Sequence, residues 1–511
     1  MAKGKQGKRK ARTKTDPVTS AAGLPETETT PPWLDGVRPA GQRLYDMPYS
    51  APAPQLVNPD LGLASLMARA GHNAGYTIDV TLLDAADHRL IRSGVLLAHR
   101  VLDGRGEWFL TAPDWQPLLP KDRIELMGHA DLPDEFADLI RPLRRRATLG
   151  PVAGLQCERR EFSLRDEEGA TRALLRDDKV TVRRGGLTTA RYRQLMITPV
   201  GAGLNDEQHG WVDRALTNTG ANRVAKFPRL MTRLGAPATG PTDIPEPTPF
   251  DGAAPFRRFV SQLLGLRLRR IVEADLAIRG GDLAATIRLT DEAARLRLEL
   301  KGLSNVLDAD WIEDLYDELD WITVVPEPAG TEGLGDVDPT RLLVGRLRSE
   351  RYLTLLERLV NAVRSPKLSD SATATHPGGQ PTENVLGELI YTVLARLRRH
   401  AGGLTVDSSD RAWLDACRSF GQLDWALDLA AHVLGDRTGR LRRRLTKPQQ
   451  LLTAVRDQIS QAEQVVASAA DLTTEEAFEA GRAFERQRGA VRRLRQDFVD
   501  QWAKTAKKLD A

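Results

Sequence analysis

Two kinds of hydrophobic periodicity follow one another along this chain, and a proline- and glycine-rich stretch separates them. Before residue 234, short runs alternate apolar and polar residues, which is typical of β-strands with one buried face. After residue 255, apolar residues recur at the spacing of amphipathic helices. Residues 234–255 fit neither pattern, so we interpret them as a linker between two domains.

The strand-like region, residues 56–233, predicts an antiparallel sheet with hairpins, because Asp-Gly, Asp-Glu-Glu-Gly and Gly-Gly turns punctuate its runs. Two helical patterns interrupt it, PDEFADLIRPLRRRA and NDEQHGWVDRALTNTG, with Asn205 or Asp206 as the N-cap of the second. The strand-like runs are YTIDVTLL, GVLLAHRV, EWFLTA, EFSLRD, TRALLRDDKVTVRR and RYRQLMITPV.

The region from 256 to 508 predicts eight helices, divided four and four near residues 366–382. In the last helix, Phe484, Val491 and Phe498 recur every seven residues and form one apolar stripe. Arg482 and Arg486 flank this stripe, where each can bind a polyanion or simply extend into water along the helix edge. The eight helices are predicted over residues 256–278, 282–304, 309–323, 350–364, 381–401, 410–434, 437–467 and 473–508.

Composition narrows the class of protein. The 511 residues are 41% hydrophobic and 28% charged, as in a soluble protein of two domains with tails, and the aromatic share of 5% disfavours a base-stacking surface. Cys157 and Cys417 alone make neither a disulfide framework nor a zinc ligand set, which indicates a reducing compartment. No apolar run reaches about 18 residues, so we expect a cytoplasmic protein without a membrane partner.

The N-terminus is strongly basic. Its first fourteen residues carry +7, more than the whole-chain net charge of +4, so the remaining residues are net negative. Residues 1–55 are rich in proline and lack periodicity, which predicts a disordered tail with one anchored segment around Trp33. Such a tail either binds a polyanion by counterion release or keeps the chain soluble. Its cations are Lys3, Lys5, Lys8, Arg9, Lys10, Arg12 and Lys14.

Charged residues also crowd the segment 288–301, where two acid–base pairs stand one helical turn apart and are expected to form surface ion pairs. Arg297 and Lys301 lack an acidic neighbour at that spacing, so we predict that they contact an anion, together with Arg295. The expected pairs are Arg288 with Glu292 and Arg295 with Glu299.

The helical half resembles a CHAD domain, the conserved histidine α-helical family, in the order of RLRLELKGL, DELDW, SERYLTLLERL, WALDLAAHVLG and FEAGRAFERQRGAVRRLRQDF. The resemblance implies two four-helix bundles that bind inorganic polyphosphate. In one helix of each bundle the family has a histidine and several basic residues. At these positions the first such helix has Ile287, Thr290 and Ala294, and the second, WLDACRSFGQLD, keeps only Arg418. Because many converging charges are needed to bind a phosphate chain, these losses weaken the family's central site.

The strand-rich half resembles a CYTH domain, a closed antiparallel tunnel whose members cleave or bind triphosphates. The resemblance rests on LLDAADHRLIRSGVLLAHR, EWFLTAP, GPVAGLQCERREFSLRDEEG, ALLRDDKVTV and VAKFPRLM. CYTH followed by CHAD is a known arrangement. It implies phosphate-binding cations, and the residues at or near those positions are Arg89, Arg100, Arg159, Arg160, Arg193 and Lys226.

The metal-binding carboxylates that such a tunnel needs are largely missing. No E-x-E-x-K strand occurs before Tyr76, and Thr111 stands where a lysine is expected. The expected glutamate positions carry Leu174, Gln194, Met196 and Thr198. A catalytic Mg²⁺ or Mn²⁺ would depend on Asp84, Asp87, Asp177 and Asp178. P-loop, H-E-x-x-H, G-x-S-x-G and C-x-x-C motifs are also absent from the sequence.

The sequence thus predicts an α+β protein, with an N-terminal antiparallel β tunnel followed by an all-α domain of two four-helix bundles. The favoured function is a non-catalytic scaffold associated with inorganic polyphosphate, or another polyanion, and with polyphosphate granules. One alternative is a metal-dependent inorganic or organic triphosphatase. Another is a protein-interaction platform that does not bind polyphosphate. The sequence does not identify its protein partner.

Overall fold

The computed structural model describes most of the chain after residue 39. The basic residues 3–14 and Trp33 lie outside the described residues, so the predictions for the tail stay predictions. None of the described helices combines the length and the apolarity that a membrane span requires. The described stretches are 40–69, 75–102, 105–119, 122–126, 131–323, 339–369, 378–468 and 474–510.

An antiparallel sheet of ten strands forms the first part of the molecule, as predicted. The strands are β1 (Arg43–Met47), β2 (Ser65–Ala68), β3 (Tyr76–Asp84), β4 (Leu96–Leu102), β5 (Arg105–Thr111), β6 (Asp122–Leu126), β7 (Gly150–Arg165), β8 (Thr171–Arg184), β9 (Leu187–Pro199) and β10 (Asn222–Val224). Their order is β10-β1-β9-β8-β7-β3-β4-β5-β6, with β2 paired to β7. Among the described strands no pairing joins β6 to β10, so closure into a tunnel stays a prediction.

Strand β1 corrects the sequence analysis, which predicts disorder up to residue 55. It lies between β9 and β10, and its Tyr45 and Met47 side chains are buried. The prediction is wrong here because RLYDM is too short, and too close to several prolines, for its alternation to be recognised.

A helix covers part of each face of the sheet. α4 (Asp206–Asn218) packs on the face that carries Leu195, and α5 (Leu230–Leu234) packs on the face that carries Val180. We call these the α4 face and the α5 face. Asn205 is the N-cap of α4, as predicted, and forms a complete capping box.

Three short helices lie between the strands, at the side of the sheet that meets the helical domain. α1 (Arg89–Arg92) precedes β4 and was not predicted. The predicted helix PDEFADLIRPLRRRA is divided into α2 (Asp134–Leu139) and α3 (Arg141–Arg144). Pro142 explains the division, because proline has no N–H to continue the hydrogen bonding of α2.

The second part of the molecule is helical, and all eight predicted helices are confirmed. Their apolar stripes are long enough to be read from sequence, and Ser349 and Ser409 cap two of them by accepting backbone N–H hydrogen bonds. The short helix α9 was not predicted. The helices are α6 (Phe256–Arg279), α7 (Ala285–Gly302), α8 (Ala309–Thr323), α9 (Pro339–Leu347), α10 (Glu350–Arg364), α11 (Thr382–Gly402), α12 (Asp410–Leu434), α13 (Asp436–Ser468) and α14 (Thr474–Asp510).

The two parts share one apolar core. Trp115 and Phe136, from the strand-rich part, belong to the same buried cluster as Phe256 and Ile271 of α6. The guanidinium group of Arg269 lies 4.6 Å from the centre of the Trp115 ring. The interface therefore excludes water from side chains of both parts.

A buried carboxylate lies at this interface. Asp243, in the linker, binds Arg92 of α1 at 3.1 Å, Arg145 just after α3, and Arg364 at the end of α10. Burial raises the pKa of Asp243, but the three guanidinium groups outweigh this effect and hold its pKa below the usual range. Glu357 of α10 binds Arg145 as well, at 3.0 Å. Linker, β domain and helical domain are thus joined by one charge network.

Candidate functional site

The α5 face of the sheet carries a network of two arginines around one buried aspartate. Arg159 on β7 lies opposite Asp178 on β8 and donates to both of its carboxylate oxygens, at 2.8 and 3.1 Å. Arg176 donates to the same carboxylate at 2.9 Å, and Arg159 also donates to the Tyr76 hydroxyl at 3.1 Å. Burial raises the pKa of Asp178, but the two arginines outweigh it and lower that pKa.

The positions at which the CYTH resemblance expects glutamates lie on this same face. In the register of β8 with β9, Asp178 is opposite Gln194 and Leu174 is opposite Thr198. None of these replacements can hold a metal ion as a carboxylate does. Gln194 is buried, and its Oε1 has no hydrogen-bond partner among the described residues. Of the six predicted cations, the α5 face carries Arg100 and Arg159, and residues without a carboxylate stand at the positions where the resemblance expects glutamates.

The neighbouring aspartate points to the opposite side of the sheet. Asp177 is on the α4 face, because successive residues of a strand alternate between faces. Arg193 binds both of its oxygens, at 2.6 and 2.7 Å, and also donates to the Ala51 and Pro52 carbonyls at 2.5 and 3.2 Å. This pair thus fixes the segment after β1 on the sheet, and it cannot share a ligand with Asp178.

Asp84 and Asp87, the other two aspartates predicted to bind a metal ion, are also bound to groups of the protein. The Asp84 carboxylate accepts hydrogen bonds from the backbone N–H groups of Ala85, Leu90 and Ile91, at 2.6, 3.0 and 2.9 Å. Burial raises the pKa of Asp84 to about 6. Asp87 binds Arg89 at 3.1 Å on the protein surface.

These four aspartates do not fit the metal ion that the resemblance implies. Each is held by its own partners, and Asp177 and Asp178 lie on opposite faces of the sheet. Within the described residues, no group of three or more His, Cys, Asp or Glu side chains is arranged to hold a metal ion.

In the helical part, the three predicted anion-binding residues do not form one site. Arg295 lies 3.7 Å from Glu299, as predicted, and Arg297 binds Asp320 of α8 at 2.5 Å. Lys301 is exposed, and its ammonium group lies 5.1 Å from the centre of the Trp425 ring. The predicted pair Arg288–Glu292 is wrong, because Arg288 binds Asp282 while the buried Arg267 takes Glu292.

No family model matches the chain, and no curated protein matches it. Among solved structures, the chain is similar to PptA from Streptomyces chartreusis, with 16% identity over 49% of this chain and 100% of that chain, at a TM-score of 0.33. The CHAD domain from the plant Ricinus communis is 18% identical over 51% of this chain and 94% of that chain, at a TM-score of 0.32. A protein from Bacillus halodurans assigned as an adenylate cyclase is 12% identical over 34% of this chain and 96% of that chain, at a TM-score of 0.22.

The chain resembles a CYTH domain followed by a CHAD domain. All of these TM-scores lie below 0.5.

The other predicted cations of the CYTH-like domain are dispersed. Arg89 binds Asp87 and Glu357, at the interface with the CHAD-like domain. Arg100 donates to Glu107 at 2.6 Å on the α5 face. Arg160 is exposed on the α4 face, and Lys226 is exposed in a bend after β10. The structure therefore does not bring the six predicted cations of this domain together into one pocket.

Of the two anion-binding residues predicted on the last helix, Arg482 and Arg486, the structure describes the side chain of Arg482. Arg482 is exposed on α14, whereas the Arg486 side chain lies outside the described residues. Ile287 of α7, which the resemblance places near the histidine position, is 66% exposed. Arg418 binds the neighbouring Asp415 on the surface.

The sequence analysis missed a concentration of exposed cations where α13 begins and α14 ends. The two helices are antiparallel neighbours here, since Arg444 donates to the carbonyl of Lys508 at 2.8 Å. The cations of α13 are visible in the sequence as the run LRRRLTK, but only the packing brings them beside the lysines of α14. We call this surface the cationic ridge; its residues are Arg437, Arg440, Arg443, Arg444, Lys447, Lys504, Lys507 and Lys508.

Proposed function

We propose that the chain is a non-catalytic scaffold that binds inorganic polyphosphate, or a closely similar linear polyanion, through solvent-exposed cations. The observation that carries this proposal is that all four candidate metal-binding aspartates are already bound to arginines or backbone N–H groups of the protein. Asp177 and Asp178 are bound by buried arginines, and Asp84 is bound by three backbone N–H groups. Phosphoryl transfer requires charge stabilisation at the reacting phosphate, and these groups are not available for it.

The ligand class rests on charge. On the α5 face the arginines are largely neutralised by acids, as Arg159 and Arg100 illustrate. Cations without a carboxylate partner occur instead on the surface of the CHAD-like domain, and the basic tail adds +7. We propose that these surfaces attach the protein to polyphosphate in the cytoplasm, at polyphosphate granules.

We expect the full chain to bind long-chain polyphosphate in a salt-sensitive manner, and we expect deletion of residues 1–14 to weaken binding. The physical reason is counterion release, whose contribution grows with the number of neutralised phosphates. Binding is measured by fluorescence anisotropy of labelled polyphosphate at several salt concentrations.

The matched control for this deletion carries the same fourteen residues in shuffled order. Because diffuse attachment depends on charge and not on sequence, the shuffled tail should bind like the native one. Negligible binding by the full chain at every salt concentration tested, including the lowest, contradicts the proposed function.

The triphosphatase alternative makes the opposite prediction about turnover. It requires Mg²⁺- or Mn²⁺-dependent phosphate release that changes at Lys226 or Asp178 abolish. We expect no release across inorganic triphosphate, nucleoside triphosphates and thiamine triphosphate with either metal. Release that follows metal concentration and disappears in Asp178→Asn would establish the enzyme and overturn the non-catalytic assignment.

One observation favours the interaction-platform alternative. Ile287 and Leu298 are exposed by 66% and 37%, and their spacing places them on one side of α7, while Leu283, in the turn before this helix, is exposed by 54%. Exposed apolar side chains on one side of a helix are available to contact a protein partner. The platform predicts a stoichiometric protein partner that remains bound in high salt and is lost from the Ile287→Lys variant.

A further inference from the structure

The cationic ridge is one surface rather than scattered charges. Along α13, Arg437, Arg440, Arg444 and Lys447 are separated by three or four residues, so they lie on the same side of the helix. Lys504 and Lys508 have the same relation on α14. Since an α-helix rises 1.5 Å per residue, the α13 row spans about 15 Å.

The ridge cations contrast with several arginines of the CHAD-like domain that bind acidic partners. Arg267, Arg279 and Arg297 each bind a carboxylate. Even Arg442, within the same run, binds Asp424. In contrast, the eight ridge residues are exposed and form no ion pair within the described part of the chain. Their mutual repulsion is therefore uncompensated by the protein.

Helix stability explains only the α14 part of the ridge, where Lys507 and Lys508 lie in the last turn and the helix dipole favours cations. Arg437 and Arg440 lie in the first two turns of α13, the end of a helix where backbone N–H groups already create a positive potential. Cations are unfavourable there, by a few tenths of a kcal/mol or more each. The same potential adds to the attraction for an anion that lies along the ridge.

The chemistry of the ridge distinguishes among polyanions. Residues 436–447 and 503–510 contain no aromatic residue, so the ridge offers no platform on which nucleobases could stack. None of the large exposed apolar side chains belongs to it either, and insertion into a lipid surface requires such side chains. An inorganic chain of phosphates needs only the positive charges that the ridge provides.

We propose that the cationic ridge is a binding site for a linear polyphosphate chain that lies along α13 and contacts the lysines of α14. This inference rests on the proposed function and deepens it, because it places the ligand on the last two helices and not on the sheet or on α7. The arginines already bound to carboxylates are then structural, and the ridge supplies the specific contacts.

The test uses the full chain with Arg440, Arg443 and Lys447 replaced by glutamine. These side chains are exposed, and glutamine is a good helix former, so the fold should be kept. We expect affinity for labelled polyphosphate to fall about tenfold or more, and the slope of log K against log salt to decrease in magnitude by about 2. Lys504→Gln with Lys507→Gln should weaken binding in the same direction.

The control variant loses the same total charge elsewhere. Arg214, Arg258 and Arg411 are exposed on α4, α6 and α12, and their replacement by glutamine should leave the slope unchanged. If the ridge and control variants bind like the native chain, the ridge assignment is wrong while the proposed function survives. If both variants weaken equally, net charge alone explains binding and the ridge is again wrong. If the native chain does not bind, the proposed function itself fails. Tighter binding of duplex DNA than of polyphosphate at equal charge overturns the choice of ligand.

Discussion

Replacement of Asp243 by asparagine is expected to lower the free energy of unfolding by about 3–5 kcal/mol, because it removes the charge but nearly preserves the shape of the side chain. The Asp243 side chain is 1% exposed and is shared by Arg92, Arg145 and Arg364. Without it, the acidic partner that the buried Arg145 keeps among the described residues is the partly exposed Glu357. Chemical denaturation followed by circular dichroism measures the loss.

A matched control isolates the effect of burial. Glu350 also links the two parts of the molecule, through Arg141 and Arg146, but its side chain is 70% exposed. Its replacement by glutamine should cost less than about 1 kcal/mol. Equal effects of the two substitutions would show that Asp243 does not hold the interface.

The Asp243 contribution also depends on pH. Because the pKa of Asp243 is lowered in the folded state, the contribution is fully present above the unfolded-state value of about 3.9. It is lost as the pH falls through the lower folded-state value. The stability difference between the native chain and Asp243→Asn should therefore narrow in strong acid and remain constant near neutral pH.

Replacement of Asp178 by asparagine is expected to destabilise the CYTH-like domain by a similar amount, about 3–5 kcal/mol. Arg159 would lose both hydrogen bonds to the carboxylate, and Arg176 would lose the third. Two positive charges would then remain on the α5 face without their counterion. Denaturation monitored by hydrogen exchange of the β7 and β8 amides would locate the loss in the sheet.

Two further variants separate a structural role from a ligand-binding one. Asp79 is exposed on β3, and its change to asparagine should have little effect on stability. The combined change of Arg159 and Arg176 to methionine and Asp178 to leucine replaces the whole network by apolar groups, which should recover much of the lost stability. If stability does not recover, or if Asp178→Asn folds like the native chain but binds polyphosphate with a different affinity, a purely structural role for this network is contradicted.

The sequence is a good guide to the long elements. The bounds of α8, α10 and α12 coincide with the predicted ones. Each helix has an apolar stripe of several turns, and each is preceded by a residue that favours the N-cap position. β1 and α9 were missed since five and nine residues give too few repeats to define a period.

The candidate site depends on relations that local sequence does not contain. The strand patterns identify Arg159 and Asp178, but only the register of β7 with β8 makes them partners. Likewise, Arg297 has no acidic neighbour on its own helix, and its partner Asp320 comes from α8. The cationic ridge depends in the same way on the antiparallel packing of α13 and α14.

Because Trp115 and Phe136 are buried in the same cluster as α6, a gene divided within the proline-rich stretch would encode two incomplete polypeptides. Each would present to water the large apolar rings and aliphatic side chains that the other normally covers, and such surfaces promote aggregation. Activities should therefore be assigned by point substitution in the intact chain rather than by expressing the halves separately.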